Sequence, residues 1–275
     1  MVLQKLIYWG VVVNIIVCVK QVIDTGAALS LKDGQVDTEG LPRVLNPYDE
    51  FAVEEAVRIR EQSPEDTTVT LISLGPDQFK DTLRKGMAMG ADRAVHLLDP
   101  AFEGLDCLGV ATALSKAIGT LEYDLILCGR QAVDDDMAQV GPAIGVLLGI
   151  PFVTVVTKLS FSEDRQKAEV TRQIEGGSEI IEAPLPLLLT CQKGLNEPRL
   201  PSLKGIMAAK KKEITILDAA AIGFDVDSMG TAANRVRETV LELPPVRKKG
   251  IILEGDPEAA CSQLVQALRD EAKVI

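Results

Sequence analysis

From Asn14 to Gly149 the chain alternates short β-branched and aliphatic runs with longer segments of helical period. The runs IIVCV (15–19), TVTLISLG (68–75), RAVHLL (93–98) and DLILCG (124–129) are nearly continuous in apolar or β-branched residues. They read as strands buried on both faces. Between them, NPYDEFAVEEAVRIREQS (46–63) sets Phe51, Ala52, Ala56, Val57 and Ile59 on one helical face. DQFKDTLRKGMAMG predicts a helix ending at Gly90, LDCLGVATALSKAIGT (105–120) a third, and MAQVGPAIGVLLG a fourth that starts near Met137 and stops at Gly149-Ile150-Pro151. Alternation without the fixed period of a solenoid predicts an α/β fold with a mostly parallel, doubly wound sheet.

After Pro151 the pattern changes. FVTVVTKLSFS and KAEVTRQIEGG read as antiparallel strands joined around Glu163-Asp164, and IIEAPLPLLLTC brings the chain back. CQKGLNEPRLPSLKGIMAAKKK has two prolines, two glycines and little periodicity, which predicts a long functional loop or linker. Residues 213–275 read as a strand EITIL, an irregular stretch to Arg247 and the amphipathic helix DPEAACSQLVQALRDEA, together a peripheral arm with a closing helix. The domain division expected is therefore 1–13, 14–212 and 213–275. The apolar N-terminal stretch is interrupted by Gly10 and Asn14, falls short of the ~20 apolar residues of a membrane helix, and is followed by no small-x-small cleavage site. Residues 1–13 read as an extension, and no membrane insertion is expected.

Composition removes several function classes. A formal charge of -11 repels phosphate backbones, and aromatics at 4% leave few platforms for stacking bases, so nucleic acid is not an expected partner. Lys210-Lys211-Lys212 is too short a basic run to change that and reads as a solvated patch. His96 is the only histidine, which leaves zinc sites and serine–histidine catalysis short of parts. The cysteines Cys18, Cys107, Cys128, Cys191 and Cys261 form no C-x-x-C pair and read as free thiols in a reducing, cytoplasmic compartment.

Open parallel sheets bind ligands beyond the carboxyl ends of their strands. Three segments end there: Cys18 to Lys20, Leu74-Gly75-Pro76, and Gly129 to Val140. The last contains Asp134, Asp135 and Asp136 ahead of a helix whose N-terminus favours phosphate. The aspartates either cap that helix or accept hydrogen bonds from ribose hydroxyls and an adenine amine. Adjacent carboxylates point apart and no further ligand accompanies them, so a metal site is not expected. Neither G-x-G-x-x-G nor G-x-x-x-x-G-K-[ST] occurs. The residues by themselves point to a nucleotide-binding α/β domain without a catalytic centre.

From Asn14 onward the chain resembles the beta subunits of electron transfer flavoproteins. The most specific segment is VTRQIEGGSEIIEAPLPLLLT (170–190), with Arg172, Glu175-Gly176-Gly177, Glu179, Ile181, Pro186 and Thr190 in the pattern of the family signature. VCVKQVID (17–24), LNPYDEFAVEEA (45–56), GMAMGADRAVHL (86–97) and LNEPRLPSLKGIMAAKKK (195–212) also match. The resemblance implies an adenine-nucleotide-binding fold with a partner-binding arm, paired with an alpha subunit that carries most contacts to a redox FAD. It implies a buried structural AMP in this subunit, contacted at Cys18, at the turn Asn46, Pro47, Tyr48 and Asp49, and at Leu74. The remaining contacts fall on Gly129, Arg130, Gln131, Ala132, Val133, Asp134, Asp135, Asp136, Met137, Ala138, Gln139 and Val140. Asp135 and Gln139 match polar contact positions, whereas Ala138 and Val140 depart from the Asn and Thr often found there.

The string AQVGP resembles a second branch, the nitrogen-fixation-linked and electron-bifurcating members, whose beta subunit can hold a second FAD in place of AMP. That branch usually has glycine and threonine where this chain has Asp135 and Met137. The loop is a hybrid. Arg199, Leu200, Pro201, Ser202, Leu203, Lys204, Gly205, Ile206, Met207 and Ala208 resemble the segment that anchors the carrier to dehydrogenases, with Leu203 as the inserted side chain. The implied role is a non-catalytic carrier subunit in fatty acid β-oxidation, between acyl-CoA dehydrogenase-type flavoenzymes and a quinone oxidoreductase. A bifurcating complex that uses NADH, or a stand-alone nucleotide sensor of the universal-stress type, are the other readings. The long loop and the arm argue against the sensor.

Overall fold

Along β1 (Asn14–Cys18) successive side chains enter opposite layers of the molecule. Ile15 and Val17 pack into one buried cluster, Ile16 and Cys18 into the other. That is the period-two consequence of a pleated strand covered on both faces, and it explains an unbroken apolar run in the sequence. The computed structural model describes residues 14–62, 67–162, 166–245 and 250–275. The N-terminal extension (1–13) and the Glu163-Asp164 turn lie outside the described residues.

After β1 come β2 (Gln21–Ile23), β3 (Leu31–Lys32), β4 (Gln35–Val36) and β5 (Arg43–Leu45), four short strands that sequence periodicity does not reveal. Then α1 (Pro47–Gln62), β6 (Thr68–Leu74), α2 (Lys80–Met89), β7 (Arg93–Leu97), α3 (Cys107–Ile118), β8 (Leu125–Gly129) and α4 (Val140–Leu148) alternate as expected. β9 (Phe152–Phe161), β10 (Lys167–Ile174) and β11 (Gly177–Pro184) form the antiparallel extension, and β12 (Leu187–Cys191) returns to the sheet. The chain continues through α5 (Leu203–Ala209), β13 (Ile214–Leu217), α6 (Val226–Met229) and α7 (Pro257–Gln266). The segment expected to be all loop thus contains a helix, α5, started by Ser202, whose hydroxyl accepts the N–H of Gly205.

The described residues divide into two compact units. The first comprises the chain up to Ala28 and from Thr38 to Thr239. It is built on a nine-stranded sheet of order β11-β10-β9-β12-β8-β1-β6-β7-β13, parallel from β9 to β13 through the centre and antiparallel only at β10 and β11. The expected α/β class with a mostly parallel sheet and an antiparallel extension is what the chain adopts. The 212/213 boundary falls between α5 and β13, and Ala219, Ile222 and Phe224 beyond it are buried in this unit. The second unit comprises Leu29–Asp37 and Val240–Ile275. Its hairpin β3–β4 turns at Asp33-Gly34, both at positive φ, the conformation a two-residue hairpin requires. Its helix α7 starts with Pro257 and is capped by Asp256, which accepts the N–H of Ala259 at 2.8 Å.

Strand order reverses between β1 and β8. From β1 the chain steps outward through β6 and β7, then returns to place β8 on the other side of β1. The carboxyl ends of two neighbouring parallel strands therefore feed connections that leave in opposite directions. That divergence opens a crevice.

The family-like segment 170–190 has a local structural role. Val155 in β9 takes a left-handed φ of 61°, costly for a β-branched residue, where the pairing of β9 with β12 slips; the pairing with β10 slips close by, at Thr157. Thr190 Oγ1 accepts the Val155 N–H at 3.0 Å, while Arg172 donates to the Thr154 carbonyl and hydroxyl at 3.2 and 3.1 Å. Glu179 in turn pairs with Arg172 at 3.5 Å. These three residues brace one bulge.

Candidate functional site

The crevice is assembled around Asn46 and Asp49. Asn46 immediately precedes α1, Pro47 takes the first helical position, and Asp49 lies within the first turn. Asp49 is buried and accepts three hydrogen bonds: from the Lys20 N–H at 2.7 Å, Asn46 Nδ2 at 2.8 Å and the Gly129 N–H at 3.2 Å. Asn46 Nδ2 also donates to the Gln131 carbonyl at 2.9 Å, and its Oδ1 accepts the Val133 N–H at 3.2 Å. The two side chains thus bind the ends of β1 and β8 and the following loop into one corner. Gly129 is required there, because a Cβ would come within 2.1 Å of Asp49 Oδ1. Burial pushes the Asp49 carboxyl up to about 7 despite its three donors and the charge of Lys20.

The loop after β8 is held tightly for a segment outside regular structure. The Arg130 N–H donates to Cys191 at 2.9 Å, and the Asp136 N–H to Ala132 at 2.9 Å. Asp136 and Ala138 both take positive φ, 52° and 55°. A right-handed helix cannot run through them, so α4 starts at Val140 rather than near Met137 as the sequence suggested. Its N-cap, Gln139, makes no side-chain capping bond. The aspartates do not cap the helix. Asp134 and Asp135 instead meet Lys20 Nζ at 2.7 and 3.1 Å, Asp135 also accepts the Met137 N–H at 3.0 Å, and Asp136 accepts from Gln131.

These elements enclose a cavity of about 300 Å³. Of the residues singled out from sequence, Cys18, Asn46, Asp49, Leu74, the run 129–132, Asp135 and the run 137–140 line it. Pro47, Tyr48, Val133, Asp134 and Asp136 do not. Val19 and Lys20, within the strand end Cys18 to Lys20 that the sequence placed at the crevice, line it too, whereas Phe79, Leu105, Asp106, Cys107, Val110, Leu114, Cys128 and Gly141 were missed. Val110 and Leu114 lie one turn apart on α3, a spacing that could have flagged them as one wall. Lys20 lies just beyond β1, in a strand end the sequence had placed at the crevice, but its ion pair with residues 134 and 135 has no local signal.

The walls differ in chemistry. Leu74, Phe79, Leu105, Val110 and Leu114 make an apolar surface suited to a planar ring system. The same lining contains Lys20, Arg130 and the first turn of α4, where Val140 and Gly141 offer N–H groups and Pro142 has none. Burial opposes the charge on Lys20, but hydrogen bonds and charges from Asp134 and Asp135 outweigh it and raise its pKa. Burial and the nearby Asp135 carboxylate raise Cys107, and contact with the Cys18 thiol together with burial pushes Cys128 well above the usual thiol range. These thiols are not activated nucleophiles. Among the described residues no group of three or more His, Cys, Asp or Glu side chains can hold a metal ion, and no helix is long and apolar enough to cross a membrane.

The segment 199–208 lies elsewhere on the first unit. Arg199 is fastened to α1 by Glu54 and Glu61, and Asn196 Nδ2 donates to the Phe51 carbonyl and to Glu55. Leu200 and Leu203 are 90% and 84% exposed, and Met207 is exposed beside them. Gly205 packs against the Ala88 carbonyl, and Ala209 at the end of α5 is buried. The anchored end and the bare apolar side chains coexist within ten residues.

A family model described as the electron transfer flavoprotein domain matches residues 33–222. The chain is 44% identical over 257 residues to the electron transfer flavoprotein subunit beta of Thermoanaerobacterium thermosaccharolyticum, covering 93% of this chain and 97% of the relative. It is 40% identical over 272 residues to the protein of the same name from Megasphaera elsdenii, covering 95% and 100%. It is also 39% identical over 261 residues to the caffeyl-CoA reductase-Etf complex subunit CarD of Acetobacterium woodii, covering 94% and 98%.

Proposed function

The chain belongs to the electron transfer flavoprotein family as a beta subunit, and from that premise we propose that it is the non-catalytic half of a heterodimeric carrier with a structural AMP in the cavity at β1 and β8. The alpha subunit supplies most contacts to the redox FAD. Electrons arrive from acyl-CoA dehydrogenase-type flavoenzymes in fatty acid β-oxidation and leave to a quinone oxidoreductase, in the cytoplasm. Five free cysteines support a reducing compartment.

The observation that carries the AMP reading is one cavity whose lining combines apolar side chains with Lys20, Arg130 and the start of α4, and with the carboxylate of Asp135 beside Lys20. The apolar wall fits an adenine ring, and Lys20, Arg130 and the α4 N–H groups fit one phosphate. A second phosphate adds charge next to the same carboxylate, where low dielectric strengthens repulsion. AMP, when bound, supplies no redox chemistry; it fills the corner that Asn46 and Asp49 hold open.

Other assignments follow the same premise. Segment 199–208 is the dehydrogenase-recognition loop, supported by the exposure of Leu203. Within residues 213–275, proposed as the partner-binding arm, exposed Ile251 and Ile252 suit an alpha-subunit contact. Residues 1–13 are proposed to be an extension outside the nucleotide-binding domain.

The bifurcating reading has its own support. The string AQVGP at 138–142 and the likeness to CarD both favour a beta subunit with a second FAD that works with NADH. Heat-released nucleotide from the purified heterodimer separates the two. One FAD and one AMP per dimer is the expected outcome, and two FAD without AMP overturns the carrier in favour of bifurcation.

A further inference from the structure

We propose that Lys20 is the phosphate-selecting residue of the cavity, and that Asp134 is an intramolecular competitor that a ligand phosphate must displace from it. The proposal rests on the reading of the cavity as a nucleotide site and assigns the residue that discriminates nucleotide from nucleoside.

The geometry of Lys20 points to this role. Its backbone is clamped on both sides: the N–H donates to Asp49 at 2.7 Å and the carbonyl accepts the Asn46 N–H at 3.0 Å. The ammonium group therefore swings from a fixed point at the cavity rim. It lines the cavity, as does the first turn of α4, whose N-cap side chain leaves the helix end uncapped. Asp135 already bridges the two regions, meeting Lys20 Nζ at 3.1 Å and accepting the Met137 N–H just ahead of α4 at 3.0 Å, so an anion beside it would draw on the ammonium and on N–H groups at the helix start.

The present partners of Lys20 are well placed to yield. All three side chains of the cluster are 37–39% exposed, so the ion pairs are solvent-screened and weak. Asp135 has a second commitment, to the Met137 N–H. Asp134 makes the shorter contact, 2.7 Å, yet does not line the cavity. A phosphate carries more charge than one carboxylate and gains the helix end as well, so it wins Lys20 and releases Asp134 to solvent. An uncharged nucleoside has nothing to exchange. Arg130 also lines the cavity and is the competing cation for the phosphate.

The test is equilibrium binding of AMP and of adenosine to the nucleotide-stripped heterodimer. Lys20→Gln is expected to weaken AMP about tenfold while adenosine binding stays unchanged. Asp134→Asn, an exposed change outside the cavity, is expected to tighten AMP severalfold at low salt, again without effect on adenosine. In the double variant the Asp134→Asn gain should vanish, because the competitor matters only through Lys20. Equal losses of AMP and adenosine on Lys20→Gln, or an Asp134→Asn gain that survives without Lys20, would overturn the assignment. Wild-type protein that binds neither ligand would sink the nucleotide site itself. AMP binding indifferent to Lys20→Gln leaves the site standing and shifts the selection to Arg130.

Discussion

Arg199 grips Glu54 side-on: Nε lies 2.8 Å from Oε2 and Nη2 lies 3.0 Å from Oε1, while the Arg199 backbone N–H reaches Oε2 at 3.1 Å. Glu54 is buried on α1, and the other edge of the guanidinium meets Glu61. Two family-like blocks far apart in sequence, LNPYDEFAVEEA and LNEPR, therefore meet as one contact. Both carboxylates hold Arg199 protonated well above the usual guanidinium range.

Loss of this fork should free the start of segment 199–208. Arg199→Ala leaves Glu54 buried without a counter-charge and is expected to cost about 2 kcal/mol, with Arg199→Lys recovering only part because one ammonium cannot span both oxygens. Denaturant unfolding measures the cost, and limited proteolysis should show new cleavage near Leu200. Equal stability of the three proteins would contradict it.

Leu203→Ala should weaken coupling to the dehydrogenase by about 2 kcal/mol, roughly thirtyfold in affinity, with flavin content and unfolding unchanged. The side chain stands 84% exposed at the first position of a helix that Ser202 caps, so folding does not depend on it. Dehydrogenase-coupled kinetics check this. A drop in thermal stability in place of a kinetic loss would show that Leu203 packs on its own subunit.

Asp49 predicts a pH dependence. Its folded-state carboxyl sits near 7 against an unfolded value near 3.8, because burial disfavours the anion. The folded chain thus holds a proton that the unfolded chain releases, and stability from this group falls as pH rises from about 4 to about 7, by at most about 4 kcal/mol. Asp49→Asn removes the titration. The unfolding free energy of wild type minus that of the variant should shrink across this range, and a constant difference would refute the assignment.

Cys107 should report occupancy of the cavity. It lines the cavity at the first position of α3 and is partly exposed, whereas Cys18, Cys128 and Cys191 are buried. In a Cys261→Ser background, iodoacetamide should modify Cys107 slowly, since burial and Asp135 raise its thiol above the ordinary range. AMP at ten times its dissociation constant should slow the reaction about tenfold. Mass spectrometry of the modified chain reads the rate, and the same rate with and without AMP would place the nucleotide elsewhere.

Thr190→Val keeps the shape of the side chain but removes the acceptor of the Val155 N–H. A cost of about 1 kcal/mol is expected, together with faster hydrogen exchange at Val155, whose positive φ leaves it few other conformations. Unchanged exchange at that amide would show that the bulge holds itself.

Local residue pattern was enough for the fold class. Burial on both faces writes unbroken apolar runs, burial on one face writes helical period, and both patterns are local. IIVCV and DLILCG were legible as strands for this reason, and so was the loop 129–140 between a strand end and a helix. Short strands such as Gln21–Ile23 escaped, because three residues carry no period. The helix start escaped because the positive φ of Asp136 and Ala138 is imposed by contacts, with no glycine to announce it. The tertiary structure alone decided which side chains meet. Lys20 and Asp134 are 114 positions apart and Arg199 and Glu54 are 145 apart. Their contacts depend on strand order, which places β8 beside β1 and brings residues 196–199 onto α1. Asn46 and Asp49 were singled out from sequence as binding residues, and the fold also makes them clamps that hold two strand ends and a loop. A local pattern records how much of a residue is buried; it does not record against what.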